Sequence, residues 1–288
     1  VTKAAARTGL IPTFLVAVEQ CFPRAQRIVN DDMAVRMLPG PAALFVGLLR
    51  LRAVRDGLIG LFDKGDPGIW GGLLCRKRDI DDKLLQASGE VDGVLSLGAG
   101  FDTRPFRLPQ VSSLPMWEVD QRENIEAKAL RLCKVFGTMP AHIKLVAADF
   151  DADDLGEVLA AHGYSTAVRT FIIWEAVTQY LTEAGVRATF AWLARAAPGS
   201  RLAFTYVRKS FIDGTNLYGW ESGYKRFVAS QVWRFGMEPQ MWPAFLADYG
   251  WQVVEDVGYD ELTARYVAPV GRQLRSTPIE RLIYARKL

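Results

Sequence analysis

The spacing of apolar residues changes near residue 90. Before it the pattern is helical with breaks. Residues 13–20 and 25–38 read as short helices, ended by Pro23 and Pro39. Residues 42–62 carry Leu44, Leu48, Leu51, Leu58 and Leu61 at helical spacing. A glycine-rich loop holding Trp70 is expected over 63–72, and a further helix over 73–88. Beyond Val91, short apolar runs at 91–97, 115–119, 143–147, 170–174 and 201–207 alternate with helix-forming segments at 122–136, 153–162 and 183–197. Further strands near 251–256 and 281–286 would complete seven. The alternation predicts an α/β fold, a seven-stranded, mostly parallel sheet with helices on both faces. Residues 1–89 are expected to form an N-terminal helical extension, and 90–288 the sheet domain. Residues 208–246 interrupt the alternation with Trp220, Tyr224, Phe227, Trp233, Phe235 and Trp242. This insertion either lies lid-like over the carboxyl ends of the strands or packs as an extra helical layer.

The most informative stretch runs from Val91 through Leu97-Gly98-Ala99-Gly100-Phe101-Asp102-Thr103-Arg104 to Met116-Trp-Glu-Val-Asp120. It reads as strand, glycine turn, connection, and second strand ending in an acid. Glycines allow close backbone approach, and a carboxylate can accept both ribose hydroxyls of a nucleoside. A dinucleotide turn needs a third glycine where this chain has Thr103. That disfavours an NAD-dependent oxidoreductase and favours a nucleoside without phosphates, with S-adenosylmethionine (SAM) the leading candidate. Asp149 ends the third strand beside Phe150 and is open to two readings, adenine contact or helix cap. Glu175 follows a fully apolar strand, where a carboxylate is costly unless it faces a cleft or partner. A sulfonium or ammonium group would be such a partner. Arg76 and Arg78 precede the glycine strand on a helix. The simplest expectation pairs them with Asp79, Asp81 or Asp82, while a guanidinium there could also clamp a ligand carboxylate.

Composition narrows the classes. The chain has 288 residues, half of them hydrophobic, and a net charge of +3 without a long basic block, so nucleic acid is not an expected partner. Cys21, Cys75 and Cys133 are scattered, and His142 and His162 are the only histidines. Neither a metal site nor a disulfide framework is indicated. No signal-peptide pattern or membrane-length apolar run is read, and a cytoplasmic location is the expectation.

Taken together, Arg76, the Leu97–Arg104 run, Glu118-Val119-Asp120, Asp149 and Glu175 resemble the leucine carboxyl methyltransferase family of class I SAM-dependent O-methyltransferases. The segments Trp233-Arg-Phe-Gly-Met-Glu-Pro239, Tyr266–Arg272 and Pro278–Arg281 are more similar to its bacterial branch, which includes carboxyl methyltransferases that tailor polyketides of the tetracenomycin type. Asp79 stands where relatives usually carry an aromatic. The resemblance implies a Rossmann-like sheet with SAM as cofactor. By that resemblance Arg76 would hold the methionyl carboxylate, and Gly98, Ala99 and Gly100 would run beside it. Asp120 would take the ribose, Asp149 and Phe150 the adenine, and Glu175, with Tyr180 behind it, would lie near the methionine moiety.

The implied reaction is methylation of a small-molecule carboxylate, such as a polyketide or other secondary metabolite. A carboxylate is ionised at neutral pH and needs no general base, and none is assigned. Rival acceptors are a phenolic hydroxyl and a protein C-terminal carboxylate. The rival of a different class is a catalytically silent SAM-binding scaffold.

Overall fold

In the computed structural model, which describes residues 10–288, seven strands form one sheet in the order β3-β2-β1-β4-β5-β7-β6. The strands are β1 (Gly93–Leu97), β2 (Met116–Asp120), β3 (Ile143–Ala147), β4 (Thr170–Trp174), β5 (Arg201–Val207), β6 (Trp251–Val257) and β7 (Glu280–Lys287). β1 to β5 are parallel, and β7 runs antiparallel between β5 and β6. The expected strand bounds at 143–147, 170–174 and 201–207 match those observed. β1, β2 and β4 are buried along their whole length, which is why they read as apolar runs rather than as alternation.

The principal helices are α1 (Leu10–Glu19), α2 (Gly40–Leu48), α3 (Arg52–Gly65), α4 (Ile69–Ala87), α5 (Arg122–Phe136), α6 (Leu155–Ala161) and α7 (Glu183–Leu193). Successive strand residues point to opposite faces, so the sheet separates two cores. On one face Val94, Phe171 and Ala203 pack with Leu15 and Val18 of α1 and with Trp70, Leu74, Ile80 and Leu84 of α4. On the other, Leu95, Ile172, Trp174 and Phe204 pack with Leu159, Phe190 and Trp242.

Three expectations fail for identifiable reasons. Residues 25–38 form two 3-10 turns, Arg24–Gln26 and Ala34–Met37, rather than a helix. The Asp31 carboxylate accepts the N–H groups of Met33 and Ala34 (3.1 and 3.0 Å), and Glu19 accepts that of Ile28 (2.7 Å). These side chains take donors that a helical ladder would have used. Residues 42–62 break into α2 and α3 at an extended Leu51, and Leu44, Leu48, Leu51 and Leu61 are exposed rather than core-facing. The expected loop over 63–72 ends early, because α4 begins at Ile69 behind the left-handed Gly68 and buries Trp70.

The insertion is a run of short helical segments, among them Lys209–Ile212, Tyr224–Val228 and Trp242–Ala247, and its Phe211, Trp220, Val228 and Trp233 form a separate cluster with Val207 and Ile279. Trp220 Nε1 donates to Pro67 O (2.7 Å) and Arg226 pairs with Asp66 (2.9 Å), tying it to the turn before α4. Among the described residues, no helix is long and apolar enough to cross a membrane.

The start of α4 packs tightly on the segment entering β7. A Cβ placed on Gly71 would lie 2.1 Å from Arg275 O, whereas one on Gly57, inside α3, would meet nothing within 4 Å. We expect Gly71→Ala to cost about 1–3 kcal/mol through overpacking. Gly57→Ala should instead gain up to about 1 kcal/mol of helix propensity. Urea unfolding of both variants reads the contrast; equal effects would contradict this packing.

Candidate functional site

Strand order reverses between β1 and β4, and a crevice beyond the carboxyl ends of parallel strands is the expected ligand position at such a switch. One cavity lies there. Its wall includes Arg76, Gly98, Ala99, Gly100, Asp120, Phe150, Glu175 and Tyr180, gathered from four strand ends and α4. Asp149 is not on that wall. It sits half-buried in the turn after β3, accepting the N–H of Asp151 (3.0 Å). The cap of α6 is Asp154, which accepts the Glu157 N–H.

Gly98 has φ +74°, and a Cβ on it would be 2.2 Å from Val177 Cγ2. Both features demand glycine. The N–H groups of Gly98 and Ala99 donate to Val119 O (2.8 and 3.0 Å), hooking the turn over β2. Gly100 then donates to Asp120 Oδ2 (2.6 Å), while Asp120 Oδ1 accepts from Gln121 N and Asn124 Nδ2, each at 2.7 Å. The strand-end acid is thus oriented by three donors at the cavity edge.

Below the glycine turn lies a buried charge network. Arg104, 1% exposed, reaches Asp81 (2.6 Å), Asp102 (2.6 Å) and Glu175 (2.8 Å). Lys77 pairs with Asp102 (3.1 Å), and Arg107 with Asp81 (2.6 Å) and Asp31 (3.4 Å). Thr103, at the position where a dinucleotide turn has its third glycine, is buried and donates its hydroxyl to Asp31. Arg76 corrects the simplest expectation. Its partners are Glu175 (3.1 Å) and Glu280 (2.8 Å), not the acids of its own helix, because α4 runs under the strand ends and turns this residue toward them. Arg78 does pair with Asp82 (2.8 Å), one helical turn on.

Burial pushes the Glu175 carboxyl up, but Arg104, Arg76 and Lys77 overturn that and leave its pKa lowered to about 2. Burial opposes ionisation of Asp102 too, and Arg104 and Lys77 hold it well below the usual carboxylate range. Asp31, Lys77, Asp102, Thr103, Arg104 and Glu280 therefore belong to the site, although the sequence reading assigned them no role. Asp102-Thr-Arg104 was visible as part of the motif and Glu280 lay within the Pro278–Arg281 segment without a role, whereas Asp31 carries no local signal.

A carboxyl whose pKa is lowered on folding stabilises the protein above its unfolded value, near 4.5, and loses that contribution as pH falls toward 2. Glu175→Gln should accordingly destabilise at pH 7 by a few kcal/mol, on the order of 3 from the size of the shift. The gap to wild type should close as pH drops from about 4.5 to 2. Chemical denaturation across that range tests it, and a gap independent of pH would remove Glu175 from the ionised network.

The leucine carboxyl methyltransferase family profile matches residues 9–194. A Mycobacterium avium protein with the provisional name S-adenosyl-L-methionine-dependent methyltransferase is 36% identical over 197 residues, 67% of this chain and 64% of that protein, just under two thirds of its length. A Streptomyces avermitilis protein of the same provisional name is 31% identical over 73% of this chain and 70% of its own. The crystal structure of a provisionally named methyltransferase from Thermobifida fusca superposes with a TM-score of 0.56 at 16% identity, over 81% of this chain and 87% of that one, a likeness of fold. The sheet, the glycine turn and these matches agree: the chain belongs to the leucine carboxyl methyltransferase family, whose members are class I SAM-dependent methyltransferases.

Proposed function

We propose that this protein methylates a carboxylate of a small molecule, using SAM, to give a methyl ester. The observation that carries the methyl-transfer reading is the charge of the cavity. Carboxylates of Asp31, Asp81, Asp102, Glu175, Glu280 and Asp120 outnumber the cations Arg76, Lys77, Arg104 and Arg107 in and beneath the wall. An excess of negative charge in a partly dry site suits a sulfonium ligand and repels a pyrophosphate. Gly98, which cannot carry a side chain, gives such a ligand close access to the backbone.

These residues fit the family cofactor. The bonds to Glu175 and Glu280 use Arg76 Nε and Nη1, so Nη2 would take the methionyl carboxylate. Asp120 would accept the ribose hydroxyls and Phe150 would pack against adenine, with Asp149 at its edge. Glu175 and Tyr180 would border the methionine moiety. Bound there, the cofactor supplies an activated methyl group, transferred to an acceptor oxygen while the C–S electron pair stays on sulfur.

The carboxylate acceptor rests on what the wall does not bring to it. Among the described residues lining the cavity there is no histidine, and its lysine is tied to Asp102. A phenol would ask for a base, but a carboxylate is already ionised. The chain's contribution is then orientation and exclusion of water, which can lower a barrier by roughly 7–11 kcal/mol. Aromatic residues of the insertion and residues 11–16 of α1 form the walls that exclude it.

A thermal-shift series tests the cofactor. SAM or S-adenosylhomocysteine at a hundredfold over Kd adds about 2.7 kcal/mol, a rise of roughly 5 °C or more for a chain of this size. Asp120→Ala should abolish the response and NAD should give none; a response to NAD alone would refute the proposal. Radiolabelled methyl transfer to a panel of carboxylic acids, with phenols as controls, then separates an esterifying enzyme from a silent SAM-binding protein. Transfer to phenols only would exclude the carboxylate reading.

A further inference from the structure

The wall of the cavity beyond the charge network is apolar, with Ile11, Val16, Ile69, Leu73, Trp220 and Phe227 prominent. Among the polar residues that interrupt it, three stand out. Gln179 Oε1, Trp233 Nε1 and Thr277 Oγ1 are sealed from solvent and have no hydrogen-bond partner, on residues only 3, 9 and 6% exposed. Such atoms each cost about 1–3 kcal/mol when left unpaired, so their presence calls for an explanation. The orphaned indoles of Trp174 and Trp242 lie inside the sheet core, where no ligand reaches. The other three come from separate segments and meet on one ligand cavity.

Each is held in place by structure that does not use its polar group. The Gln179 backbone carbonyl accepts the N–H groups of Arg234 and Phe235 (2.7 and 3.3 Å), fixing the backbone without use of the side-chain amide. The Trp233 ring stacks on Phe227 at 4.5 Å and meets Tyr180 edge-on at 6.2 Å. Thr277 packs its methyl group against Gly72, where an added Cβ would be 2.7 Å away. Among the described residues the cations on the wall, Arg76, Lys77 and Arg104, are already bonded to carboxylates, and the remaining Nη2 of Arg76 is given to the cofactor.

We propose that Gln179, Trp233 and Thr277 form the acceptor subsite and hold the polar head of a flat, apolar-bodied carboxylic acid through neutral hydrogen bonds. The proposal rests on the carboxyl methyltransferase reading and specifies its substrate class. The indole N–H and the threonine hydroxyl donate to the acid's oxygens, and the Gln179 amide, turned about its last torsion so that Nε2 takes the place of the unpaired Oε1, supplies a further donor. Aromatic walls take the body. Recognition by neutral donors rather than by an arginine keeps the attacking oxygen from being tied up in an ion pair.

Calorimetric titration of 2-naphthoate into the full chain with S-adenosylhomocysteine bound tests this, with naphthalene-2-carboxaldehyde and naphthalene as controls. Naphthoate should bind the most tightly of the three. Thr277→Val and Trp233→Phe should each weaken it roughly tenfold, the size of one lost charged hydrogen bond. Thr277→Val, which keeps the size of the side chain, should also keep or raise Tm, because it removes a polar atom that the ligand-free protein leaves unpaired. A merely structural role predicts the reverse, loss of stability with ligand binding intact, and that outcome overturns the proposal. Absence of naphthoate binding while S-adenosylhomocysteine binds overturns the subsite and leaves the cofactor reading standing. Failure of S-adenosylhomocysteine to bind overturns both.

Discussion

Arg104 is the interaction on which the rest of the site depends. Taking a guanidinium out of water is expensive, and its removal from solvent is offset only if charged partners meet it with good geometry. Here Asp81 comes from α4, Asp102 from the turn after β1, and Glu175 from the end of β4. None of the three is a neighbour of another in the sequence, yet all must be in place before the arginine can be buried. The network therefore specifies one arrangement of helix, turn and strand end. Removing any one carboxylate takes a partner from a buried guanidinium, a loss of up to roughly 3–5 kcal/mol on the scale of a broken buried pair.

That arrangement also presents the ligand-binding groups. Glu175 faces the cavity and simultaneously ties Arg76 and Arg104, so the acid that would face a sulfonium is held by the same bonds that lock the fold. The glycine turn is fixed from the other side, through Val119 O and the Asp120 carboxylate. Two apolar cores, one on each face of the sheet, supply the stability against which this polar layer is set. Glu19 and Arg272 (2.7 Å) repeat the device at the periphery, joining α1 to the segment before β7, with the Arg272 guanidinium 3.9 Å from the Phe22 ring. The segments far apart in the chain are thus brought under one set of buried charges.

How much of this could be read from the sequence follows the range of the forces involved. The strands were legible because full burial demands an apolar run, and Thr170–Trp174 and Arg201–Val207 supply one each. That Gly98, Gly100 and Asp120 share one cavity edge was legible because they act through local backbone geometry. Residues 25–38 misled because Asp31 and Glu19 compete with the helix ladder, which periodicity does not register. Exposed Leu44, Leu48 and Leu61 show the same blindness from the other side: helical spacing of apolar residues says that a face exists, not what covers it. The partners of Arg76 were misassigned because an i,i+3 or i,i+4 acid is visible along a helix, whereas Glu280 lies 204 positions away.

The acceptor half had no legible motif, for a physical reason. A cofactor of fixed chemistry can be bound by one turn and one strand end, and that arrangement leaves a short, dense pattern. The proposed acceptor wall is assembled from α1, the start of α4, the turn after β4, the insertion and the irregular segment leading into β7. Each contributes one or two residues, mostly apolar, and no spacing links them. Such a wall can change its specificity by substitution at Trp220, Phe227, Gln179 or Thr277 without disturbing Arg104 and its partners, because the two sets of contacts share the cavity but not their bonds. On the proposed assignment, the buried ion network fixes the frame of the site, and a change of substrate would fall on the apolar and neutral residues of the wall rather than on Arg104 and its partners.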